Sequence, residues 1–405
     1  MNADDMKRFV AKELIHHAYQ PPAGFAAPQG AVHKASTVIF ADVAALRSRD
    51  WRHKTGYTYG LHGTPTTFTL EERIATLEGA HACLLLPSGL AAIALVNQAL
   101  LSQGDEVLLP ANVYGPSREL ARHELARWGI THRFYDPMDP GALAAFLGPR
   151  TRLLWLEAPG SLTMEFPDLP ALARTARSQG VLCALDNTWG AGLAFNGFDL
   201  GADIVMQALT KFPSGGGDVL MGSVCTRDVA LHERLKLTHM HTGVGVAGND
   251  AELVLRSLAT LPLRYAAQDR CARQLAVWLA GRAEVSRVLH PALAGSPGHE
   301  HWRAHCSQAA GLFSVLFADR FTPAQVDAFV DALSLFKIGY SWAGPMSLVV
   351  PYDLALVRPG PAAGAAALRG HLVRFSVGFE EPQALLDDLA QALHAAFVTA
   401  PSDPV

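Results

Sequence analysis

The chain has 405 residues, half of them hydrophobic and only 17% charged, with 35 glycines and 25 prolines spread along it. That composition describes a compact α/β protein rather than a disordered chain, and the length implies more than one core at roughly 100 to 200 residues per domain. The formal charge of -4 comes from interspersed signs without a Lys/Arg run, which excludes nucleic acid as a partner.

The start, MNADDMKR, has acids where a secretory leader needs positive charge. The longest apolar stretch, Gly89 to Leu101, is broken by Asn97 and Gln98 and falls short of a membrane span. The expectation is a cytoplasmic protein with no membrane partner. Cys83, Cys183, Cys225, Cys271 and Cys306 are odd in number and sit mostly in apolar runs, as free buried thiols of a reducing compartment do.

Residues 1–66 lack a sustained period and end in TGYTYGLHGTPTT, an irregular arm suited to reach a neighbouring subunit. From there helices and strands alternate: EERIATLEGA, then ACLLLP, GLAAIALVNQALLSQ, EVLLP, SRELARHELARWG and THRFYD. The pattern continues with ALAAFLG, RLLWLE, PALARTARSQG, VLCALD, ADIVMQAL and GSVCT. Continuous apolar strands alternating with helices predict a mostly parallel sheet covered on both faces, over residues 67–258. Residues 259–405 read as a smaller α/β unit. It has a long helix through QDRCARQLAVWLAGR, an alternating strand GLFSVLF, a helix PAQVDAFVDAL, a strand LVRFSVG and a terminal helix LLDDLAQALHAAF.

In such a sheet, ligands sit beyond the carboxyl ends of the strands. After LLLP, Ser88 and Gly89 open an apolar helix, which makes either a phosphate site of bare N–H groups or an ordinary cap. After EVLLP comes Tyr114, which suits stacking on a flat ring or plain packing. VLCALD ends in Asp186, a carboxylate that needs a partner or caps the next turn. ADIVMQAL is followed by Lys211 and a glycine-rich loop, placing a lysine at the same edge that is either a solvated side chain or a catalytic amine. Taken together, a phosphate cradle, an aromatic face, a carboxylate and an amine match the four parts of pyridoxal phosphate.

The histidines of HEHWRAHC (His299, His301, His305) and THMH (His239, His241) do not complete a metal site, and the former read as a surface loop. GVGVAG at 243–248 follows a charged stretch rather than a strand. It reads as a flexible loop on the active-site side, not as a dinucleotide loop.

The strings YGLHGTPT, LEAPGSLTMEFPD, LDNTWGAG, QALTKF, HPALAGSPGHEHW and GYSW resemble the Cys/Met-metabolism branch of fold-type I pyridoxal-phosphate enzymes. Within that branch they are similar to the bacterial cystathionine β-lyases, and they spread over nearly the whole chain. The resemblance implies the fold-type I transferase architecture, with Lys211 as the Schiff-base lysine, Asp186 on the pyridinium nitrogen and Tyr114 stacked on the ring. It further implies a phosphate held by Ser88, Gly89, Leu90 and Thr210, a Tyr59 arriving from a partner subunit, and Arg374 clamping the substrate carboxylate. Tyr340, Ser341 and Trp342 would form the aromatic substrate wall of a β-lyase, and the assembly would be a homotetramer acting on a small amino-acid substrate. Three features depart from the pattern: Leu61 stands where an arginine is usual, Met346 where a glutamate is usual, and QALTKFPSGGGD has glycines where a GHSD-like loop is usual. These departures keep open γ-elimination or γ-replacement on methionine or homoserine derivatives, and a non-catalytic scaffold relative.

Overall fold

The computed structural model describes residues 30–50, 56–354 and 370–398, with a few isolated positions besides. Most of the arm foreseen before residue 30, and residues 51–55, therefore lie outside the described residues. The described part of the arm is irregular apart from the one-turn helix α1 (Val43–Arg47), capped by Asp42, and a single helical turn at Gly60–His62. Thr37 bridges to Tyr59, and Gly60 N donates to Ser36 O at 2.8 Å. A Cβ at Gly60 would lie 1.7 Å from Ala35 O, so this crossing requires glycine.

A reciprocal Thr64–Thr67 capping box starts α2 (Pro65–Glu78), and Gly79 at φ 68 ends it. Then follow β1 (Ala82–Leu86), α3 (Gly89–Leu100), β2 (Glu106–Pro110), α4 (Gly115–Leu120), β3 (Thr131–Tyr135), α5 (Pro140–Phe146) and β4 (Thr151–Glu157). The run closes with α6 (Leu169–Ser178), β5 (Leu182–Asp186), β6 (Ile204–Gln207) and β7 (Gly222–Thr226). The sheet order is β1-β7-β6-β5-β4-β2-β3, and β7 alone runs antiparallel to its neighbours. Central strands are buried along their length because helices cover both faces, while edge strand β3 keeps an exposed alternation.

Beyond it come α7 (Val229–Thr242), α8 (Gly248–Leu258) and α9 (Leu261–Ala280). A second sheet is built from β8 (Val285–Leu289), β9 (Leu312–Phe317), β10 (Lys337–Ile338), β11 (Leu348–Asp353) and β12 (His371–Ser376), in the order β10-β11-β12-β9-β8. Helices α10 (His299–His305), α11 (Pro323–Asp331) and α12 (Pro382–Leu393) complete this half. Its core includes Phe313 stacked on Phe375 at 5.2 Å, with Phe336 edge-on to Phe375 at 5.3 Å.

The HEHWRAHC segment is not a surface loop but helix α10. Gly298 at φ 76 turns the chain into it, and buried Trp302 anchors it, donating Nε1–H to Gln308 O at 3.1 Å. Among the described residues no group of three or more His, Cys, Asp or Glu is placed to hold a metal, and no helix is long and apolar enough to cross a membrane. The GVGVAG segment joins α7 to α8 and packs on the arm, where a Cβ at Gly245 would lie 2.8 Å from Leu61 Cδ1. It does not line the cavity described below.

Buried Asp388 of α12 accepts the backbone N–H groups of Ser334, Leu335 and Phe336 at 2.7, 2.8 and 3.3 Å, pinning the turn before β10. Asp388→Ala orphans all three donors. Urea denaturation is expected to show a loss of about 2 to 3 kcal/mol.

Candidate active site

A cavity of about 540 Å³ opens at the carboxyl ends of β1, β2, β4, β5 and β6, closed from above by residues of the second sheet. Lys211, Asp186, Tyr114, Ser88, Gly89, Leu90, Thr210, Arg374, Tyr340, Ser341 and Trp342 all line it.

Lys211 leaves the loop after β6. Its neighbour Phe212 is fully buried between Tyr265, at 4.5 Å, and Trp342, at 5.6 Å, which fixes the backbone from which the lysine projects. Arg264 adds a hydrogen bond from Nη1 to Phe212 O at 2.8 Å. The lysine Nζ donates to Ser341 Oγ at 2.6 Å and stands 5.4 Å from the Trp342 ring centre. Burial pushes the Lys211 pKa down to about 8; the charge of Arg374 pushes the same way and that of Asp186 opposes.

Asp186 ends β5. Its hydrogen bonds both fall on Oδ1, from Thr188 N at 3.0 Å and Thr188 Oγ1 at 2.5 Å, while Thr188 Oγ1 accepts from Ala208 N at 2.9 Å. Burial raises the Asp186 pKa, against the Thr188 hydrogen bonds and the Lys211 charge. Tyr114 precedes α4, its N–H donating to Glu157 Oε2 at 2.9 Å.

Helix α3 presents its first turn to the cavity. Ser88 Oγ caps Ala91 N at 3.0 Å, and among the described residues neither Gly89 nor Leu90 donates its N–H to a carbonyl. A Cβ on Gly89 would meet Ala208 Cβ at 2.6 Å, so glycine lets the helix end press against the strand that leads to Lys211. Thr210 also lines the cavity, but its hydroxyl is committed to Met221: it donates to Met221 O at 3.2 Å and accepts from Met221 N at 3.0 Å.

Arg374 sits on β12 with its guanidinium 5.6 Å from the Tyr352 ring centre and makes no ion pair among the described residues. Burial lowers its pKa, opposed by the neighbouring Tyr352, Tyr114 and Tyr340. Tyr59 does not reach this cavity from its own chain; it is 46% exposed on the arm.

Sequence reasoning missed Tyr352, Thr188, Asn112 and Glu157, which also line the cavity. Thr188 had a signal in its place two residues after Asp186. Tyr352 had none, because it meets Arg374 only through the β11–β12 register, in which Val350 pairs with Arg374 and Tyr352 with Leu372.

The sequence model described as Cys/Met metabolism PLP-dependent enzyme matches residues 11–394. The chain belongs to that family. It is 40% identical over 384 residues to a cystathionine β-lyase of Bordetella avium, covering 93% of this chain and 95% of that one. It is 34% identical over 392 residues to cystathionine β-lyase MetC of Escherichia coli, covering 95% and 97%. The solved structure of MetB from Corynebacterium glutamicum superimposes with a TM-score of 0.86 at 29% identity, covering 95% of this chain and 97% of that one. The fold is thus the α/β architecture of fold-type I, and pyridoxal phosphate is the family's cofactor. The cavity fits that group: a positive helix end with two open N–H groups, an aromatic side chain, a buried carboxylate and a neutralisable amine converge in it.

The lowered Lys211 pKa yields a test on protein freed of cofactor. Only the neutral amine attacks an aldehyde, so capture of added pyridoxal phosphate should fall about tenfold per pH unit below the midpoint and level off above it. The expected midpoint is about 8, and Arg374→Leu, which removes one lowering charge, should move it upward. Stopped-flow absorbance reads both, and a native midpoint near an ordinary lysine value of roughly 10 would contradict the assignment.

Proposed function

We propose that this chain is a carbon-sulfur lyase performing β-elimination on cystathionine or a related cysteine S-conjugate, giving a thiol such as homocysteine, pyruvate and ammonia. The observation that carries this reading is that the Lys211 amine and the Arg374 guanidinium line one cavity, with the Tyr340–Trp342 wall between the two sheets. The β-lyase relatives support the choice of reaction.

Arg374 receives the substrate α-carboxylate, because its planar fork binds both oxygens and its half-buried charge has no ion-pair partner among the described residues. Bound pyridoxal phosphate supplies an aldehyde for amines and an electron sink for charge developing at the α-carbon. Lys211 would hold the cofactor, and its free amine would take the α-proton on Nζ, with Ser341 Oγ orienting that nitrogen. The C–S bond then breaks, the thiolate leaves with its electron pair, Lys211 or Tyr114 returns a proton to sulfur, and the remaining 2-aminoacrylate, once released, takes up one water to give pyruvate and ammonia. Asp186, whose Oδ2 Thr188 leaves open, would keep the cofactor's ring nitrogen protonated.

Tyr114 would stack on the ring, and Ser88, Gly89 and Leu90 would hold the phosphate at the start of α3, with Thr210 shaping that pocket from its bond to Met221 and a Tyr59 from a partner subunit completing it. Tyr340, Ser341 and Trp342 bound the substrate. The reading includes an arm over 1–66, a cofactor-binding domain over 67–258, a small domain over 259–405, and a cytoplasmic homotetramer in which two arms exchange.

Incubation with cystathionine should release pyruvate, identified by a coupled dehydrogenase assay; 2-oxobutyrate instead would assign the enzyme to γ-elimination. Lys211→Ala should lose the violet absorption band and turnover together. Arg374→Leu should lower kcat/KM by about 30- to 1000-fold, the cost of leaving a carboxylate without its buried partner. In light scattering the active enzyme should be an oligomer, since Tyr59 does not reach the cavity of its own chain, and an active monomer would contradict the shared site.

A further inference from the structure

Glu78 closes α2 at 1% exposure, and the mechanism above gives it no task. Its carboxylate receives Asn187 Nδ2–H on both oxygens, at 3.0 and 3.3 Å, and Gln207 Nε2–H on Oε1 at short range. Asn187 directly follows Asp186, and Gln207 is the last residue of β6, the strand that leads to Lys211. Asn196 Nδ2 donates to Glu78 O at 2.8 Å, fixing the helix end from which the carboxylate projects.

A carboxylate at this depth is costly unless its hydrogen bonds repay the desolvation, and an apolar side chain would pack the same space more cheaply. Both amides turn their donors to Glu78 and leave Asn187 Oδ1 and Gln207 Oε1 without partners, so the arrangement is built around one acceptor. That acceptor joins two strand ends which, one layer above, are joined again by the Asp186–Thr188–Ala208 chain of hydrogen bonds.

We propose that Glu78 is a positioning residue: by tying Asn187 to Gln207 it sets the placement of Asp186 relative to Lys211, and through them the protonation and reactivity of the bound cofactor. The proposal rests on the roles given above to Asp186 and Lys211. Glu78 touches neither substrate nor cofactor, and its effect passes through β5 and β6.

The experiment uses purified holoenzyme and reads the pH midpoint of its visible cofactor band, with kcat and KM for cystathionine beside it. Glu78→Gln keeps the size but sets a donor against two donors. The expected result is a midpoint moved by about one unit and kcat lowered about tenfold, with KM changed less than about threefold. Gln207→Met removes one donor while sparing Glu78. It should move the midpoint the same way by less, and it carries the test if Glu78→Gln does not fold. Folded Glu78→Gln with a native midpoint and native kcat, or Gln207→Met with a native midpoint, overturns the proposal. Lys211→Ala measured alongside separates the two ideas: a variant that keeps the band defeats the reading of Lys211 itself. If Lys211→Ala loses the band while Glu78→Gln leaves the midpoint in place, only the role of Glu78 fails.

Discussion

An ammonium group enclosed by protein is unstable unless it finds an anion or gives up its proton, and the architecture around Lys211 favours the second course. No carboxylate lies within ion-pair distance of its Nζ among the described residues; the amine meets a hydroxyl and an indole face instead. A half-buried guanidinium and the positive end of a helix share the same cavity. Asp186 and Glu157 line the same cavity, Glu157 accepting the Tyr114 N–H, so the positive groups are local binding points for a phosphate and a carboxylate rather than a uniform field. The parallel sheet is what allows it: β1, β2, β4, β5 and β6 point their carboxyl ends the same way, so five loops deliver their residues to one place.

That convergence is also why much of the site was legible from sequence. Asp186 and Lys211 each follow an apolar run that can only be a buried strand, and Ser88–Gly89 stand where a strand gives way to an apolar helix. Once the strands are taken as parallel, their proximity follows without any contact being known. Arg374 belongs to the second sheet and Tyr340, Ser341 and Trp342 to its β10–β11 loop, and nothing in their spacing says that this half folds over the first sheet; only the resemblance carried them. Tyr352 and Glu78 escaped both routes. The first depends on the register of an antiparallel pair, the second on a helix end meeting two strands more than a hundred residues away. HEHWRAHC was misread because its prolines and glycines upstream signal a turn, whereas the buried Trp302 that anchors a helix there is a matter of tertiary packing.

The wall that brings Ser341 to Lys211 is held against backbone preference. Ser341 and Ala343 adopt φ values of 86 and 66, a region unfavourable for residues with a Cβ, on either side of Trp342. Ala343 N is held by Ser376 Oγ at 3.3 Å and Gly344 O by Gln268 Nε2 at 2.9 Å, so β12 and α9 together impose the conformation. Lys211 and the cavity wall at Tyr340–Trp342 are thereby held from different sides, the lysine by the loop after β6 and the wall by β12 and α9.

Leu61 lies on the arm, outside the cavity of its own chain. Where the resemblance leads one to expect arginine, the structure has an aliphatic side chain packed on Gly245, and a longer charged side chain would lose that contact. The neighbouring His62 is no ready substitute, since burial lowers its pKa and favours the neutral ring, whose Nδ1 meets Thr58 Oγ1 at 3.2 Å. In this chain the groups that would hold the cofactor's phosphate at that helix start are the open N–H groups of Gly89 and Leu90 and the dipole of a twelve-residue helix. Directed N–H groups hold an anion by geometry more than by net charge, so this end of the site should be less sensitive to ionic strength than one built on an exposed arginine.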